Sequence, residues 1–278
     1  MVDNGDFSVR FWGVRGTLPC PGPGTKRYGG NTSCLEIICG GERLIFDAGT
    51  GIRALGASLA GQTGLRSHLF LTHTHIDHII GFPFFRPAYD PANSYEVWSG
   101  HLAARPGGLQ GVLKNLMSGT LFPVPIDIMH ACLAFHDFQA GDRLEPIPDV
   151  VIETASLQHP QGATGYRVNF AGKSICYVTD TEHVEGQLDD KILALIQDSD
   201  VVIYDSTYTD EEYSNYRTWG HSTWREGIKL CEAANAKTFV AFHHDPDHDD
   251  AFMDGIAEEI ERCRPGSLVA KEGLVLRP

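Results

Sequence analysis

Short apolar runs rich in branched and aromatic residues alternate with turn-forming residues along much of the chain. Runs of this kind, bounded by Gly, Pro, Asn or Asp, are typical of β-strands. Several of the runs end at a residue that is able to do chemistry. The pattern predicts strands at residues 8–12, 33–39, 43–47, 68–72, 94–99, 150–155, 164–170, 174–178, 201–204 and 238–242.

A second pattern, with apolar residues three and four positions apart, predicts helices because this spacing places them on one helical face. It is clearest at residues 223–234 and 251–263, and shorter helices are expected at 52–59, 109–117 and 189–197. Strands come first and then mix with helices. Two packed sheets with helices outside satisfy this order, which predicts an α/β fold in a single domain, residues 1–278.

Two stretches interrupt these patterns. Residues 13–30 are crowded with Gly and Pro, which predicts a long surface loop, and loops of that length are often functional. Between residues 100 and 148 the pattern loosens, and a helical piece is followed by Phe122, Pro123, Val124 and Pro125. We interpret residues 100–148 as an insertion near the active site.

The segment from Leu69 to His78 begins as a buried strand and ends in side chains that bind metals. Because side chains at positions i and i+2 of a strand project to the same side, His73 and His75 can converge on one ion. If the chain then turns into a helix, Asp77 and His78 point into a neighbouring space and can hold a second ion. These donors suit zinc, manganese or iron. A surface histidine cluster is the alternative interpretation.

Further candidate ligands follow other predicted strands. His159 comes after the strand at 150–155, Asp180 ends an apolar run, and His243 ends another. A single histidine at a strand end is more often structural, but three such residues beside a preformed cluster favour ligation. His244 and His248 lie close to His243, and His244 stays an alternative for the last ligand.

The H-x-H-x-D-H run with a later His, Asp and His resembles the metallo-β-lactamase superfamily. Further motifs are similar to its phosphodiesterase branch, which includes ribonuclease Z, cyclic-nucleotide phosphodiesterases and phosphoribosyl cyclic phosphate phosphodiesterases. These motifs are FWGVRGT from Phe11, GGNTS from Gly29, FDAGTG from Phe46, YDSTY from Tyr204, GHST from Gly220 and FHHDP from Phe242.

The resemblance implies an αββα sandwich with two divalent metal ions in a cleft at one edge. Zinc is the first expectation, with manganese or iron as alternatives. Two ions can share a water and lower its pKa to about 7, which supplies a hydroxide for hydrolysis. Carried over by position, one ion would be held by His73, His75 and His159, the other by Asp77, His78 and His243, and Asp180 would bridge them.

The resemblance also indicates a general acid, His221, in the GHST motif. Asp205 at the end of a predicted strand could hydrogen-bond its ring and keep the acid form charged. A helix-capping or surface histidine is the alternative for His221. Asp77, His221 and Asp205 are thus the expected catalytic residues.

The sequence gives weaker evidence that other polar residues take part in the site. Asp47 could orient His73 or His75, or form a turn. Asn31, Thr32 and Ser33 could donate to a substrate phosphate or begin the next strand. Local or solvent-facing roles are expected for the remaining histidines considered: His101, His130, His136 and His183.

The composition indicates which class of substrate and which cellular compartment to expect. The net charge is -14, which disfavours a long nucleic acid because such binding depends on Lys and Arg. The N-terminus has no signal-peptide core, and no segment is apolar enough to span a membrane. The seven scattered cysteines do not suggest a disulfide framework, so a cytoplasmic protein is expected. Segments 13–30 and 100–148 would suit a homodimer in which one of them reaches the partner's cleft.

The leading hypothesis is a binuclear phosphodiesterase that hydrolyses a small, cyclic phosphodiester such as a cyclic nucleotide. A tRNA 3′-processing nuclease of the same branch is one alternative, although no Lys- and Gly-rich arm for tRNA is evident. A thioester, lactone or β-lactam hydrolase is another. A noncatalytic carrier or binding protein in cofactor biosynthesis is the alternative from a different class, and it would be favoured by lost ligands.

Overall fold

The computed structural model describes residues 6–278 and contains two seven-stranded sheets. The strands are β1 (Phe7–Gly13), β2 (Cys34–Cys39), β3 (Glu42–Phe46), β4 (Arg66–Leu71), β5 (Ser94–Ser99), β6 (Cys132–Asp137), β7 (Arg143–Ile147), β8 (Val150–Leu157), β9 (Ala163–Phe170), β10 (Lys173–Val178), β11 (Val201–Asp205), β12 (Thr238–Phe242), β13 (Leu268–Val269) and β14 (Val275–Leu276). The helices are α1 (Gly51–Ser58), α2 (Ile76–Ile79), α3 (Gly108–Leu116), α4 (Asp190–Ile196), α5 (Asp210–Tyr213), α6 (Trp224–Ala233) and α7 (Asp250–Cys263).

The two sheets have related topologies. The first runs β14-β1-β2-β3-β4-β5-β6, and the second runs β13-β12-β11-β10-β9-β8-β7. In the first sheet β3 to β6 are parallel, and in the second β10 to β13 are parallel. Parallel neighbouring strands end at the same edge, so residues after β3, β4, β10, β11 and β12 are brought to that edge.

Three apolar layers hold the molecule together. Between the sheets, aromatic rings from both inner faces pack together, including Phe46 against Tyr166 at 5.3 Å and Phe11 against Phe242 at 6.1 Å. Helices α1 and α3 cover the outer face of the first sheet, and α4, α6 and α7 cover the second. The chain therefore forms the αββα sandwich that the resemblance implied.

Local capping explains where the longer helices begin. The side chain of Asp249 accepts from the backbone N–H of Phe252 at the start of α7, and Thr223 accepts from that of Glu226 at the start of α6. Such side-chain oxygens satisfy amides that have no partner within the helix. The amphipathic patterns at 223–234 and 251–263 correspond to these two helices within a residue or two.

The segment 100–148 contains two strands that the apolar pattern did not indicate. Strand β6 pairs with β5 at the edge of the first sheet, and β7 pairs with β8 at the edge of the second. Both edge strands are mostly half-buried or exposed, so they lack the apolar alternation that marks a strand in sequence. What lies outside both sheets is therefore mainly the part before β6, which includes α3.

Three residues that follow strands within two positions have left-handed backbones at the edge where the strands end. They are Asp47, Asp180 and His243, with φ values of 60°, 59° and 64°. Non-glycine residues rarely adopt this conformation, and such strain concentrates at functional sites. Among residues 6–278, no helix is long and apolar enough to cross a membrane.

Candidate metal centre

Loops at one edge of the sandwich bring seven side chains into two adjacent groups. Within each group the possible donor atoms lie within 4.8 Å of one another. We call the first the three-histidine group and the second the carboxylate group. The three-histidine group is His73, His75 and His159, and the carboxylate group is Asp77, His78, Asp180 and His243.

The three-histidine group is built by the turn after β4 and the loop after β8. His75 Nδ1 lies 3.0 Å from His159 Nε2, and the ring of His73 lies 4.5 Å and 4.7 Å from their two rings. Burial holds the pKa of His73 well below its ordinary value, so the ring is neutral. Its Nε2 is buried and has no hydrogen-bond partner among the described residues. A buried lone pair of this kind fits a metal ion.

The carboxylate group is buried throughout. His78 Nε2 lies 3.3 Å from His243 Nε2, and Asp77 Oδ2 lies 3.3 Å and 3.5 Å from the same two nitrogens. The two carboxylates converge away from water and repel one another unless positive charge lies among them. The chemistry of this donor set suits a divalent ion.

Asp180 faces both groups. Its Oδ1 lies 3.7 Å from Nε2 of His73 and of His159, while its Oδ2 lies 3.2 Å from His78 Nε2 and 3.3 Å from His243 Nε2. Burial by itself raises the pKa of this carboxyl, but the neighbouring histidines lower it well below the ordinary value. Asp180 is therefore a carboxylate positioned between the groups.

In three of the histidines, the ring nitrogen that points away from the site is hydrogen-bonded, which leaves the other ring nitrogen free to bind a metal ion. Nδ1 of His159 donates to the carbonyl of Gly220 at 2.8 Å, and Nε2 of His75 donates to Gln161 Oε1 at 2.9 Å. Nδ1 of His243 lies 3.0 Å from Thr207 Oγ1. Partners of this kind fix the tautomer and orientation of metal-binding histidines.

Asp47 has a different partner from the one expected. Its Oδ2 accepts from His78 Nδ1 at 2.9 Å rather than from His73 or His75. The backbone explains this, because the N–H of Ala48 donates to the carbonyl of His78 and holds the turn that follows β4 over Asp47. Asp47 reaches His73 only through the hydroxyl of Thr72.

His221 and Asp205 lie together beside both groups. His221 Nδ1 donates to Asp205 Oδ2 at 2.9 Å, and the His221 ring lies 5.3 Å from the His159 ring and 4.9 Å from the His243 ring. Burial lowers the pKa of His221, but the carboxylate of Asp205 and the more distant ones of Asp180 and Asp77 raise it to about 9. The imidazolium form is therefore favoured, as a general acid requires.

The loop before His221 is held by a residue that the sequence did not indicate. The carboxylate of Glu182 accepts from the backbone N–H of Thr218 at 2.6 Å and of Gly220 at 3.0 Å. A Cβ at Gly220 would lie 2.3 Å from His159 Nδ1, so only glycine fits against that ring. No motif or strand end singles out Glu182, because its role depends on distant backbone amides.

The Gly- and Pro-rich stretch 13–30 covers the carboxylate group. The backbone N–H of Thr17 donates to Asp77 Oδ2 at 2.8 Å, and a Cβ at Gly16 would lie 2.2 Å from the His243 ring. Arg15 is fully buried and donates to the carbonyls of Gly29 and His248. The stretch is thus anchored and contacts the site directly.

The three residues expected to contact substrate point elsewhere. Asn31 donates to Glu272, the Thr32 hydroxyl accepts from the N–H of Thr50, and Ser33 is completely buried. The structure does not bring these side chains to an opening of the site. The other interpretation, that they lead into the next strand, agrees with β2, which begins at the following residue.

Five further histidines have local partners. His244 Nε2 donates to the carbonyl of Ala270, and His248 Nε2 to Glu212, so neither joins the two groups. His101 bonds Ser99 and Thr74, His136 bonds Glu96, and His183 bonds Ser222. His130 is exposed.

Comparisons with known proteins agree with this architecture. The family model described as a β-lactamase superfamily domain matches residues 42–244. The ribonuclease Z of Bradyrhizobium diazoefficiens is 24% identical over 96% of this chain and 98% of that protein. A diphosphatase from the PhnP family superposes with a TM-score of 0.72 at 17% identity, covering 98% of each chain. Zinc-bound PqqB from Methylobacterium extorquens gives 0.73 at 16% identity, covering 98% of this chain and 100% of that one.

The family match covers most of the chain and includes all seven clustered residues together with His221, while the solved structures support the fold. The resemblance drawn from the motifs is thereby confirmed. The chain belongs to the β-lactamase superfamily domain family, and it is a hydrolase of the metallo-β-lactamase fold.

Proposed function

We propose that this protein is a binuclear metal-dependent phosphodiesterase that hydrolyses a small, cyclic phosphodiester such as a cyclic nucleotide. The observation that carries the proposal is the His221–Asp205 pair, which lies beside both groups of candidate ligands. A thioester expels a thiolate, which leaves without a proton, but the alkoxide expelled from a phosphodiester is a poor leaving group and needs a proton donor. A charged histidine beside the ligand groups meets that requirement.

The donor atoms fit two divalent ions, with zinc as the first expectation and manganese or iron as alternatives. The three-histidine group would hold one ion, the other residues of the carboxylate group would hold the second, and Asp180 would bridge them. When bound, such ions supply a nucleophile at neutral pH and neutralise charge on phosphoryl oxygens.

His221 would donate a proton from Nε2 to the leaving oxygen, since its Nδ1 is engaged with Asp205. Asp205 orients the ring and stabilises the imidazolium. Asp205 is itself held, because its Oδ1 accepts from the N–H and the hydroxyl of Thr207. Asp77 would act as a ligand and is oriented by the backbone N–H of Thr17.

The overall charge supports a small substrate. The net charge of the chain is -14. Polynucleotide binding depends on lysine and arginine side chains. A substrate with few charges is therefore favoured over a long nucleic acid.

A tRNA 3′-processing nuclease is the second candidate. It is supported by relatives named ribonuclease Z that match nearly the whole chain at low identity. The same His221–Asp205 pair would serve it, since RNA cleavage also expels an alkoxide. The two candidates differ in what the surface beyond the site must bind.

A substrate panel tests the proposal. Metal-loaded protein is assayed against bis-(p-nitrophenyl) phosphate, cyclic nucleotides, a precursor tRNA, a thioester and a lactone. We expect turnover of the aryl phosphodiester and of at least one cyclic phosphate. Cleavage of precursor tRNA without any cyclic phosphate would establish the second candidate. Failure on every phosphodiester, with turnover of the thioester or lactone, would refute both.

A further inference from the structure

A continuous series of aromatic rings leads from His221 to the protein surface. The ring of Tyr208 lies 6.0 Å from that of His221 and stacks on Tyr216 at 4.5 Å with an interplanar angle of 7°. Tyr216 meets the ring of Trp219 at 5.3 Å and 79°. Tyr208 is buried and Tyr216 is half-buried, so the series becomes progressively more exposed toward Trp219.

Trp219 presents an open aromatic surface beside the site. Its side chain is 60% exposed, although it lies only two residues before His221. Of the four tryptophans, Trp12 and Trp98 are half-buried and Trp224 is buried, so Trp219 is the exposed one. An indole ring normally buries a large apolar area, and leaving it in water has a free-energy cost unless a ligand covers it.

The backbone on both sides of Trp219 is held in place. Glu182 accepts from the backbone amides of Thr218 and Gly220, the two neighbours of Trp219. The Gly220 carbonyl also accepts from His159, which ties the same loop to the three-histidine group. A tryptophan whose backbone is held in this way loses less conformational entropy when a ligand stacks on its ring.

Two other exposed apolar side chains border the same centre. Leu18 is 60% exposed and follows Thr17, whose N–H binds Asp77. Ile76 is 52% exposed and lies between His75 and Asp77. Single exposed apolar residues are ordinary on protein surfaces. These three, however, each lie next to a residue that belongs to the two groups of candidate ligands or hydrogen-bonds one of their members, so they place apolar surface beside the site.

We propose that Trp219 is a substrate-binding residue that stacks on a flat aromatic ring carried by the phosphodiester, and that the substrate is therefore a nucleoside phosphodiester. This inference rests on the proposed function and specifies its substrate class. An aromatic side chain accepts any base, because every base has a π-face. His221 stands at the inner end of the ring series and Trp219 at its outer end, so the phosphate would bind beside His221 and the base against Trp219.

Fluorescence tests the stacking without any turnover. Metal-loaded protein, excited at a wavelength selective for tryptophan, is titrated with adenosine 5′-monophosphate and separately with ribose 5-phosphate. We expect saturable quenching by the first compound only. The quenching should disappear in Trp219→Phe and persist in the matched control Trp12→Phe. Quenching that survives in Trp219→Phe, or no saturable quenching in the wild type, would overturn the proposal.

A matched substrate pair tests the same contact in catalysis. Adenosine 2′,3′-cyclic phosphate and the methyl riboside 2′,3′-cyclic phosphate share the reacting group and differ in the base. For Trp219→Ala we expect KM for the adenosine compound to rise about 5- to 100-fold, as loss of one stacked base predicts, with KM for the methyl riboside unchanged. Trp219→Phe should restore most of the loss because phenylalanine also stacks.

The outcomes separate this inference from the proposed function. If the wild type hydrolyses neither cyclic phosphate nor any other phosphodiester, the proposed function fails, while quenching by adenosine monophosphate still reports on Trp219. If both substrates are hydrolysed and Trp219→Ala affects them equally or not at all, the function stands and the base-stacking role is refuted.

Discussion

The two groups of candidate ligands differ in charge and in access to water. The three-histidine group contains only histidines, of which His75 and His159 are half-buried. The carboxylate group combines Asp77 and Asp180 with two imidazoles, and all four residues are buried. A divalent ion would therefore meet two negative charges in one group and, apart from the oxygen of Asp180 that faces it, none in the other.

The residues that hydrogen-bond the candidate ligands also differ in charge and exposure between the two groups. In the carboxylate group, His78 is held by the buried carboxylate of Asp47, which is itself fixed by hydroxyls of Thr72 and Tyr177. In the three-histidine group, His75 is held by the exposed side chain of Gln161. Buried charge-assisted hydrogen bonds are stronger than exposed neutral ones. We therefore expect the carboxylate group to bind its ion more tightly.

Removing the residue that the groups share should have the largest effect. In Asp180→Asn the charge facing both groups is lost, so we expect both ions to be lost and hydrolysis to fall by roughly 10³-fold or more. Elemental analysis after gel filtration measures the ions. Asp254→Asn, on the exposed face of α7, is the control and should keep them. Two ions retained by Asp180→Asn would contradict a bridging role.

His221 lies beside both groups, so its substitution tests whether it acts as a proton donor or as a ligand. We expect His221→Ala to keep both ions and to lose about 10²- to 10⁴-fold of its activity on a cyclic nucleotide, since the alkoxide then leaves without a proton. Activity on bis-(p-nitrophenyl) phosphate should change little, because p-nitrophenolate leaves unaided. Loss of an ion would instead assign His221 as a ligand, and equal losses on both substrates would argue against proton donation.

A substitution behind the carboxylate group should act on that group alone. In Asp47→Asn the negative charge that orients His78 is removed, and we expect affinity for the more tightly held ion to fall about 10- to 100-fold. Asn tolerates the left-handed backbone at this position. Asp198→Asn is a matched control, because Asp198 is also left-handed but exposed. Chelator competition measures both affinities, and an effect on the weaker ion alone would reverse our ranking of the groups.

The candidate ligands were predictable because they follow apolar strands, and parallel strands end at one edge of a sheet. The hydrogen bond between Asp47 and His78 was not predictable, because it depends on the backbone hydrogen bond from Ala48 that holds the turn at His78. Glu182 and Gln161 were missed for the same reason, since each bonds a residue far away in sequence. The edge strands β6 and β7 were not predicted because neither face of either strand is fully buried. The local pattern of apolar and polar residues predicts which segments are buried, but it does not predict hydrogen bonds between residues far apart in the sequence.

The smallest expected effect comes from the exposed support of the three-histidine group. Gln161 has a left-handed backbone, so Gln161→Asn shortens the side chain without adding the strain that alanine would bring. The hydrogen bond to His75 is lost, and one exposed neutral bond is worth about 0.5–1.5 kcal/mol. We therefore expect affinity for the weaker ion to fall about 2- to 10-fold, with the tighter ion unaffected. Gln110→Asn, exposed on α3, is the control. A loss as large as that of Asp47→Asn would mean that exposure does not distinguish the two groups, and that Asp180 sets both affinities.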